Sequence, residues 1–275
     1  MIYGWSRKIW LLLLMLQPWF APSYGQSAPD KDGPPVRVPI LLYHRFGPAV
    51  ADSMTVTTPV FASHLAYLRD HGYQAIPLRQ LVDYYRQKGP PPPPQSVAIT
   101  IDDGHKTVYS DALPLVRQYR LPVTLFIYPS AISQAAYALT WEQLRELRQS
   151  GRFDIQSHTF WHPNFKQERK RLNPVAYEEF VNMQLKKSKA RLERELGIRV
   201  DMLAWAFGIH DDFLTAKAAA AGYVAAFTLE RRAAQSSDQV MRLPRYLMTN
   251  ADRGQALARI LGDPFRPATG GNVQK

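Results

Sequence analysis

Residues 98–109 read AITIDDGHKTVY, an apolar, β-branched run that ends in two adjacent carboxylates and a glycine. Residues branched at Cβ favour a strand, and an apolar run with few polar interruptions fits a strand buried on both faces. Such a strand finishes by setting Asp102 beside Asp103, where their charges repel. An aspartate at a strand-to-helix junction is a common helix cap, and glycine supports a tight turn there. Repulsion between neighbouring carboxylates is also relieved when one of them is held by a cation.

Working outward, short apolar runs alternate with longer amphipathic ones. VPILLYH (38–44), SVAITI (96–101), VTLFIY (123–128), FDIQSH (153–158), MLAWAF (202–207), YVAAFT (223–228) and QVMRLP (239–244) read as strands. Helical spacing with a glycine stop marks 59–72 and 78–89. Further helices are expected near 106–119, 140–150 and 174–196, with a short one ending at Gly222. Five prolines at 90–94 form a stiff connector, too short to divide domains. Strands alternating with helices predict an α/β fold with a parallel sheet. The expected architecture is a distorted (β/α) barrel of about seven parallel strands, with an open doubly wound sheet as the second arrangement.

The chain has 275 residues, 46% of them apolar, enough for a sizeable core. Arg7 and Lys8 precede the apolar run Ile9–Leu16, and small residues follow up to SYG at 23–25. That is the layout of a secretory signal, with the run far shorter than the ~20 residues needed to span a bilayer. The expected organisation is a signal peptide (1–25), a polar leader (26–37) and one domain (38–275), exported to the periplasm or secreted. Cysteine is absent, which excludes disulfides and thiolate metal sites. No G-x-G-x-x-G or Walker A sequence follows a strand, so nucleotide binding has no motif. Lys+Arg number 34 against 23 Asp+Glu, a net charge of +11. The densest basic cluster, KQERKR (166–171), contains Glu168 and reads as a solvated helix face. No nucleic-acid partner is expected; a basic surface of this kind suits an anionic membrane surface.

Candidate site residues gather at the ends of the strands: His44, then Asp102, Asp103 and Gly104, His158 with His162, Phe207, Gly208 and His210, and Arg245. In a parallel barrel the C-terminal strand ends form one rim, where active sites are built. The histidines of HTFWH (158–162) stand at i and i+4, which on a helical turn puts both on one face, able to share a metal. Two imidazoles and one carboxylate leave zinc an open position for water, and a second carboxylate can take that water's proton. Trp161, Trp205 and Phe207 lie beside this site, either stacking on sugar or packing the barrel mouth.

TIDDG (100–104) together with SHTFWH (157–162) resembles the first two motifs of the polysaccharide deacetylase family, carbohydrate esterase family 4, also called the NodB-homology domain. VPILLYHRFG (38–47) is similar to the start of its poly-N-acetylglucosamine deacetylase subgroup, which acts on exported biofilm polysaccharide. The resemblance implies a NodB-like barrel and metal-dependent removal of N-acetyl groups. It implies Asp103, His158 and His162 as metal ligands, Asp102 as general base and His44 as general acid, with His210 the alternative acid. AWAFG (204–208) stands where the family carries proline and tyrosine before the glycine; here Ala206 and Phe207 replace them. Phe207 would still offer a backbone N–H to the oxyanion, with Gly208, Trp205 and Arg245 as further oxyanion or substrate-binding residues; Arg245 either orients Asp102 or stands exposed in a surface salt bridge. The expected cofactor is a divalent metal, zinc before cobalt, nickel or iron. The expected partners are an N-acetylated glycan and other exopolysaccharide export proteins. Two other readings stay open: a deacetylase of peptidoglycan or chitin-type chains, and a non-catalytic glycan-binding protein on the same fold.

Overall fold

The structure, a computed structural model, describes Met1 and residues 35–263. Eight strands form one sheet: β1 (Ile40–Tyr43), β2 (Gln74–Ala75), β3 (Ser96–Asp102), β4 (Val123–Ile127), β5 (Phe153–Ser157), β6 (Met202–Ala204), β7 (Ala225–Phe227) and β8 (Tyr246–Leu247). Every pairing is parallel, in the order β7–β6–β5–β4–β3–β1–β8, with β2 beside the start of β3. Between them run α1 (Thr58–Asp70), α2 (Leu78–Tyr85), α3 (Leu113–Gln118), α4 (Trp141–Gln149), α5 (Phe165–Arg171), α6 (Pro174–Leu196) and α7 (Asp212–Ala220), and α8 (Gln255–Leu261) follows β8. The sheet curls into a half-barrel wrapped by helices, the distorted (β/α) barrel expected.

Alternation along the strands separates two apolar cores. Leu41, Val97, Ile99, Ile101, Leu125 and Ile155 face outward and pack with Leu65, Leu144 and Leu185 of the helices. Ile40, Ala98, Phe126, Met202, Ala204 and Phe227 face the barrel interior. Thr100 and Asp102 continue the register of Ala98, so the interior becomes polar toward the C-terminal ends. Both sets are buried, which is why the strands read as continuous apolar runs rather than as alternating ones.

Two expected strands end differently. MLAWAF is extended only over 202–204; Ala206–Gly208 form a tight 3₁₀ turn. QVMRLP is not a strand: Val240–Arg242 form a 3₁₀ turn, and the last strand comes later, at Tyr246. This late segment touches both edges of the sheet. Leu243 pairs with Phe227 of β7, while Tyr246 and Leu247 pair with Leu41 and Leu42 of β1. Pro244, which has no N–H for a ladder, separates the two pairings, and Arg245 lies between them.

All strands point the same way, so His44, Asp102, Tyr128, His158, Trp205 and Thr228 end or follow neighbouring strands at one rim. Apart from Met1, the expected signal peptide (1–25) lies outside the described residues, as do most of the expected leader (26–37) and 264–275 of the expected domain. Arg37, the last leader residue, already pairs with Gln235. Among the described residues, no helix is long and apolar enough to cross a membrane.

Candidate metal centre

The Asp-Asp-Gly turn is built from two consecutive left-handed residues, Asp103 at φ 74° and Gly104 at φ 75°. Glycine suits the second position: a side chain there would be strained at this φ, and its Cβ would stand 2.6 Å from Ile127 Cδ1, which would have to shift. Asp103 has no such freedom, and a left-handed aspartate stores strain of ~1–3 kcal/mol that the surroundings must hold in place. The same conformation recurs at Thr159 (φ 65°), His162 (φ 61°) and Phe207 (φ 55°). Four of the eight left-handed non-glycine residues among the described ones thus gather around one point.

That point is a cluster of three side chains. His158 Nε2 lies 3.5 Å, and His162 Nε2 3.8 Å, from Asp103 Oδ1. One ligand atom from each of the three lies within 4.8 Å of the others. Asp103 Oδ1 is buried and has no hydrogen-bond partner. An orphaned carboxylate oxygen facing two imidazole nitrogens fits a bound cation, because burial without a partner is otherwise costly. His158 Nδ1 lies 2.8 Å from the Ala204 carbonyl, which can only accept, so that nitrogen carries a proton and Nε2 is left to ligate. The five residues of HTFWH do not form the expected helical turn. Residues 158–164 are irregular, and the two rings, 4.6 Å apart, converge because Thr159 and His162 take left-handed backbone.

Burial opposes charge on His158, but the Asp102 and Asp103 carboxylates outweigh it and push its pKa up. His162 goes the other way: burial, reinforced by His158, lowers it to about 4. Burial alone would raise Asp103, yet its contacts with His158 hold it well below the usual carboxylate range. All three thus favour forms that ligate once the His158 proton is displaced.

Asp102 belongs to a different pair. Arg245 donates from both terminal nitrogens, 2.8 Å to Oδ1 and 2.7 Å to Oδ2. Its Nε donates to Thr228 O at 3.2 Å, and its guanidinium lies over the rings of Phe126 and Phe227. Burial works against the Asp102 charge, but Arg245 overcomes it and keeps the carboxyl ionised. Arg245 is 0% exposed, which corrects its grouping with substrate-binding residues and leaves the alternative, orientation of Asp102. Asp102 Oδ2 remains 3.7 Å from His158 Nε2, at the edge of the cluster.

His44 follows β1. Burial lowers its pKa against the pull of Asp102 and Asp103, and its Nδ1 is buried without a partner. His210 Nδ1 sits 3.0 Å from Gly208 O, inside its own loop. Phe207 is 55% exposed, with its ring 4.4 Å from that of His162; Trp161, beside His162 in sequence, is 46% exposed. Gly208 is left-handed, and a Cβ there would stand 2.9 Å from Leu229 Cγ. Trp205 is 0% exposed and its Nε1 donates to Met241 O at 3.1 Å, so it is a core residue and cannot stack on a sugar. KQERKR forms the exposed helix α5, where Arg171 pairs with Glu168.

Two site-supporting residues escaped the sequence reading. Gln184 and Ser188 of α6 are fully buried, and each bonds into the segment that carries the histidines. Their signal was a pair of polar residues, one turn apart, on the helix's apolar stripe.

The polysaccharide deacetylase family profile matches residues 89–226. A poly-β-1,6-N-acetyl-D-glucosamine N-deacetylase of Staphylococcus epidermidis is 27% identical over 200 residues, covering 71% of this chain and 68% of that protein. YxkH of Bacillus subtilis is 33% identical over 136 residues; the match covers 50% of this chain and 47% of YxkH, so it spans about half that relative. Among solved structures, the Streptococcus pyogenes deacetylase PplD in complex with acetate superposes with a TM-score of 0.73 at 23% identity, covering 85% of this chain and all of that one. IcaB from Ammonifex degensii also gives 0.73 at 23% identity, covering 82% of this chain and 97% of that one. At that identity the superpositions establish the fold.

Proposed function

This chain belongs to the polysaccharide deacetylase family, and from that premise we propose that it removes N-acetyl groups from an exported poly-N-acetylglucosamine-type glycan. The observation that carries the reading is the orphaned Asp103 Oδ1 facing the two imidazole nitrogens, with the ionised Asp102 alongside. The relatives named poly-β-1,6-N-acetyl-D-glucosamine N-deacetylases support the choice of glycan.

Asp103, His158 and His162 would hold a divalent cation; two nitrogens and one oxygen suit zinc, and also cobalt, nickel or iron. When bound, such an ion acidifies a water and polarises the acetyl carbonyl. Asp102 accepts the water's proton at its carboxylate. The Arg245 fork fixes the direction of both oxygens and keeps them ionised, as a base requires. The Phe207 backbone N–H is assigned to the carbonyl oxygen as negative charge develops there. His44 gives a proton to the amide nitrogen as the carbon–nitrogen bond breaks, releasing acetate and a free amine. Export to the periplasm or beyond is part of the proposal and rests on residues 1–25; contact with an anionic membrane surface rests on the net charge of +11, and contact with export proteins on the likeness to the poly-N-acetylglucosamine deacetylases.

The test is acetate release from N-acetylglucosamine oligomers by the chelated protein, with and without added divalent ion, compared with peptidoglycan and chitin-type chains. Ion-dependent release, greatest on β-1,6-linked oligomers, is expected. Greater release from peptidoglycan or chitin-type chains would replace the glycan. Absence of release from every acetylated chain, whichever ion is supplied, would leave a glycan-binding protein.

A further inference from the structure

The buried stripe of α6 reads Tyr177, Val181, Gln184, Leu185, Ser188, Leu192, Leu196. A glutamine in the middle of such a stripe is costly unless its amide is satisfied. Its Oε1 accepts from two successive backbone N–H groups, Phe160 and Trp161, each at 3.1 Å. These are two of the three residues between His158 and His162. They are flanked by left-handed Thr159 and His162, so the segment runs in a conformation its own residues disfavour. No ladder or helical bond is available to these two N–H groups, because the segment belongs to neither element. One oxygen from a rigid 23-residue helix therefore supplies what the segment lacks.

His158 does not need this help. Its N–H donates to Ile127 O at 2.8 Å and its ring nitrogen is held by Ala204 O at 2.8 Å. The His162 backbone N–H has the Thr159 hydroxyl, at 3.2 Å, within the same segment. The position of His162 relative to Asp103 thus depends on how the segment between the histidines is held. Resting on the metal-dependent reading above, we propose that Gln184 is a positioning residue: it clamps the Phe160 and Trp161 amides and so sets His162 at the distance a cation requires. Ser188, one turn on, bonds Ser157 Oγ at 2.8 Å and fixes the strand end from which the segment departs.

The test compares Gln184→Met, which fills similar volume without an acceptor, with Val181→Ala, which loosens the same helix stripe away from the segment. Two readouts are taken on the full chain: zinc affinity by competition with a chromophoric chelator, and amide hydrogen exchange over 158–162 in the metal-free protein. Gln184→Met is expected to weaken zinc about 10–100-fold, as outer-shell partners of ligands do, and to speed exchange at Phe160 and Trp161. Val181→Ala is expected to lower the melting temperature while zinc affinity stays within about twofold, if positioning rather than global stability decides affinity. Should Gln184→Met not fold, Gln184→Asn, whose amide is drawn back by one methylene, carries the same comparison. Unchanged exchange or unchanged zinc affinity in the Gln184 variant overturns the proposal. So does a loss in Val181→Ala that matches it. A wild-type chain that binds no divalent ion, while its Gln184 variant still speeds exchange, would overturn the metal-dependent reading, and the ligand-positioning role with it, but leave the clamp standing.

Discussion

Replacing Arg245 by methionine removes the only guanidinium that touches Asp102 among the described residues and leaves that carboxyl at 1% exposure. The cost follows from the choice the carboxyl then faces. It either stays charged with only His158, 3.7 Å away, as a cationic neighbour, a penalty of up to ~3–5 kcal/mol for breaking a buried pair, or takes a proton on folding. Protonation at pH 7, from an unfolded value near 3.9, costs ~4 kcal/mol at 1.36 kcal/mol per unit, and this route caps the penalty. The expected loss is therefore about 4 kcal/mol at pH 7, or a fall in melting temperature of roughly 8–16 °C. The sign with pH is fixed. In the wild-type chain the Asp102 pKa is depressed, so its contribution is present above the unfolded value and is lost as pH falls through the folded one. In Arg245→Met the folded pKa is raised, so the penalty shrinks as pH falls, to ~1.5 kcal/mol at pH 5. Urea unfolding followed by tryptophan fluorescence at the two pH values measures both numbers. An equal loss at pH 7 and pH 5, or a loss under about 1 kcal/mol at pH 7, would refute the claim that Arg245 serves to keep Asp102 ionised. The Asp102→Asn/Arg245→Met double variant should recover part of the stability, because no uncompensated charge remains.

Asp102→Asn should retain the divalent ion, by metal analysis, and lose ~10²–10⁴ in deacetylation rate, the usual contribution of a general base. His158→Ala should lose both ion and activity; equal ion retention in the two variants would contradict the division of roles. Because the His158 pKa is raised by Asp102 and Asp103 against the effect of burial, ion binding below that raised value must displace a proton. Titration calorimetry in buffers of different ionisation enthalpy should find about one proton released per ion, with affinity falling ~10-fold per pH unit lost. His162, lowered to about 4, should add a second proton only in acid. Gly104→Ala should destabilise the fold by about 1–3 kcal/mol, read as a lower urea midpoint, since it adds a left-handed side chain and a contact at 2.6 Å from Ile127 Cδ1.

Local chemistry was enough to read the parallel strands, the helices and the composition of the cluster. A strand buried on both faces is apolar along its length, so SVAITI announced itself, and once the strands are parallel their C-terminal ends share a rim. Asp103, His158 and His162, a group that could hold a cation, and Asp102 beside them were legible because such a group is a matter of residue type and order. Tertiary structure decided what depends on who faces whom. HTFWH looked helical because i, i+4 spacing is helical, but the convergence came from left-handed backbone held by Gln184, a partner 22 residues beyond His162. Trp205 could be read as a sugar platform or as packing of the barrel mouth, and only its contact with Phe165 and its full burial decide for packing. Arg245 sits 143 residues from Asp102. Nothing local in sequence pairs two such distant charges, because a buried ion pair is specified by the closure of the barrel that brings its partners together and by the water that closure excludes.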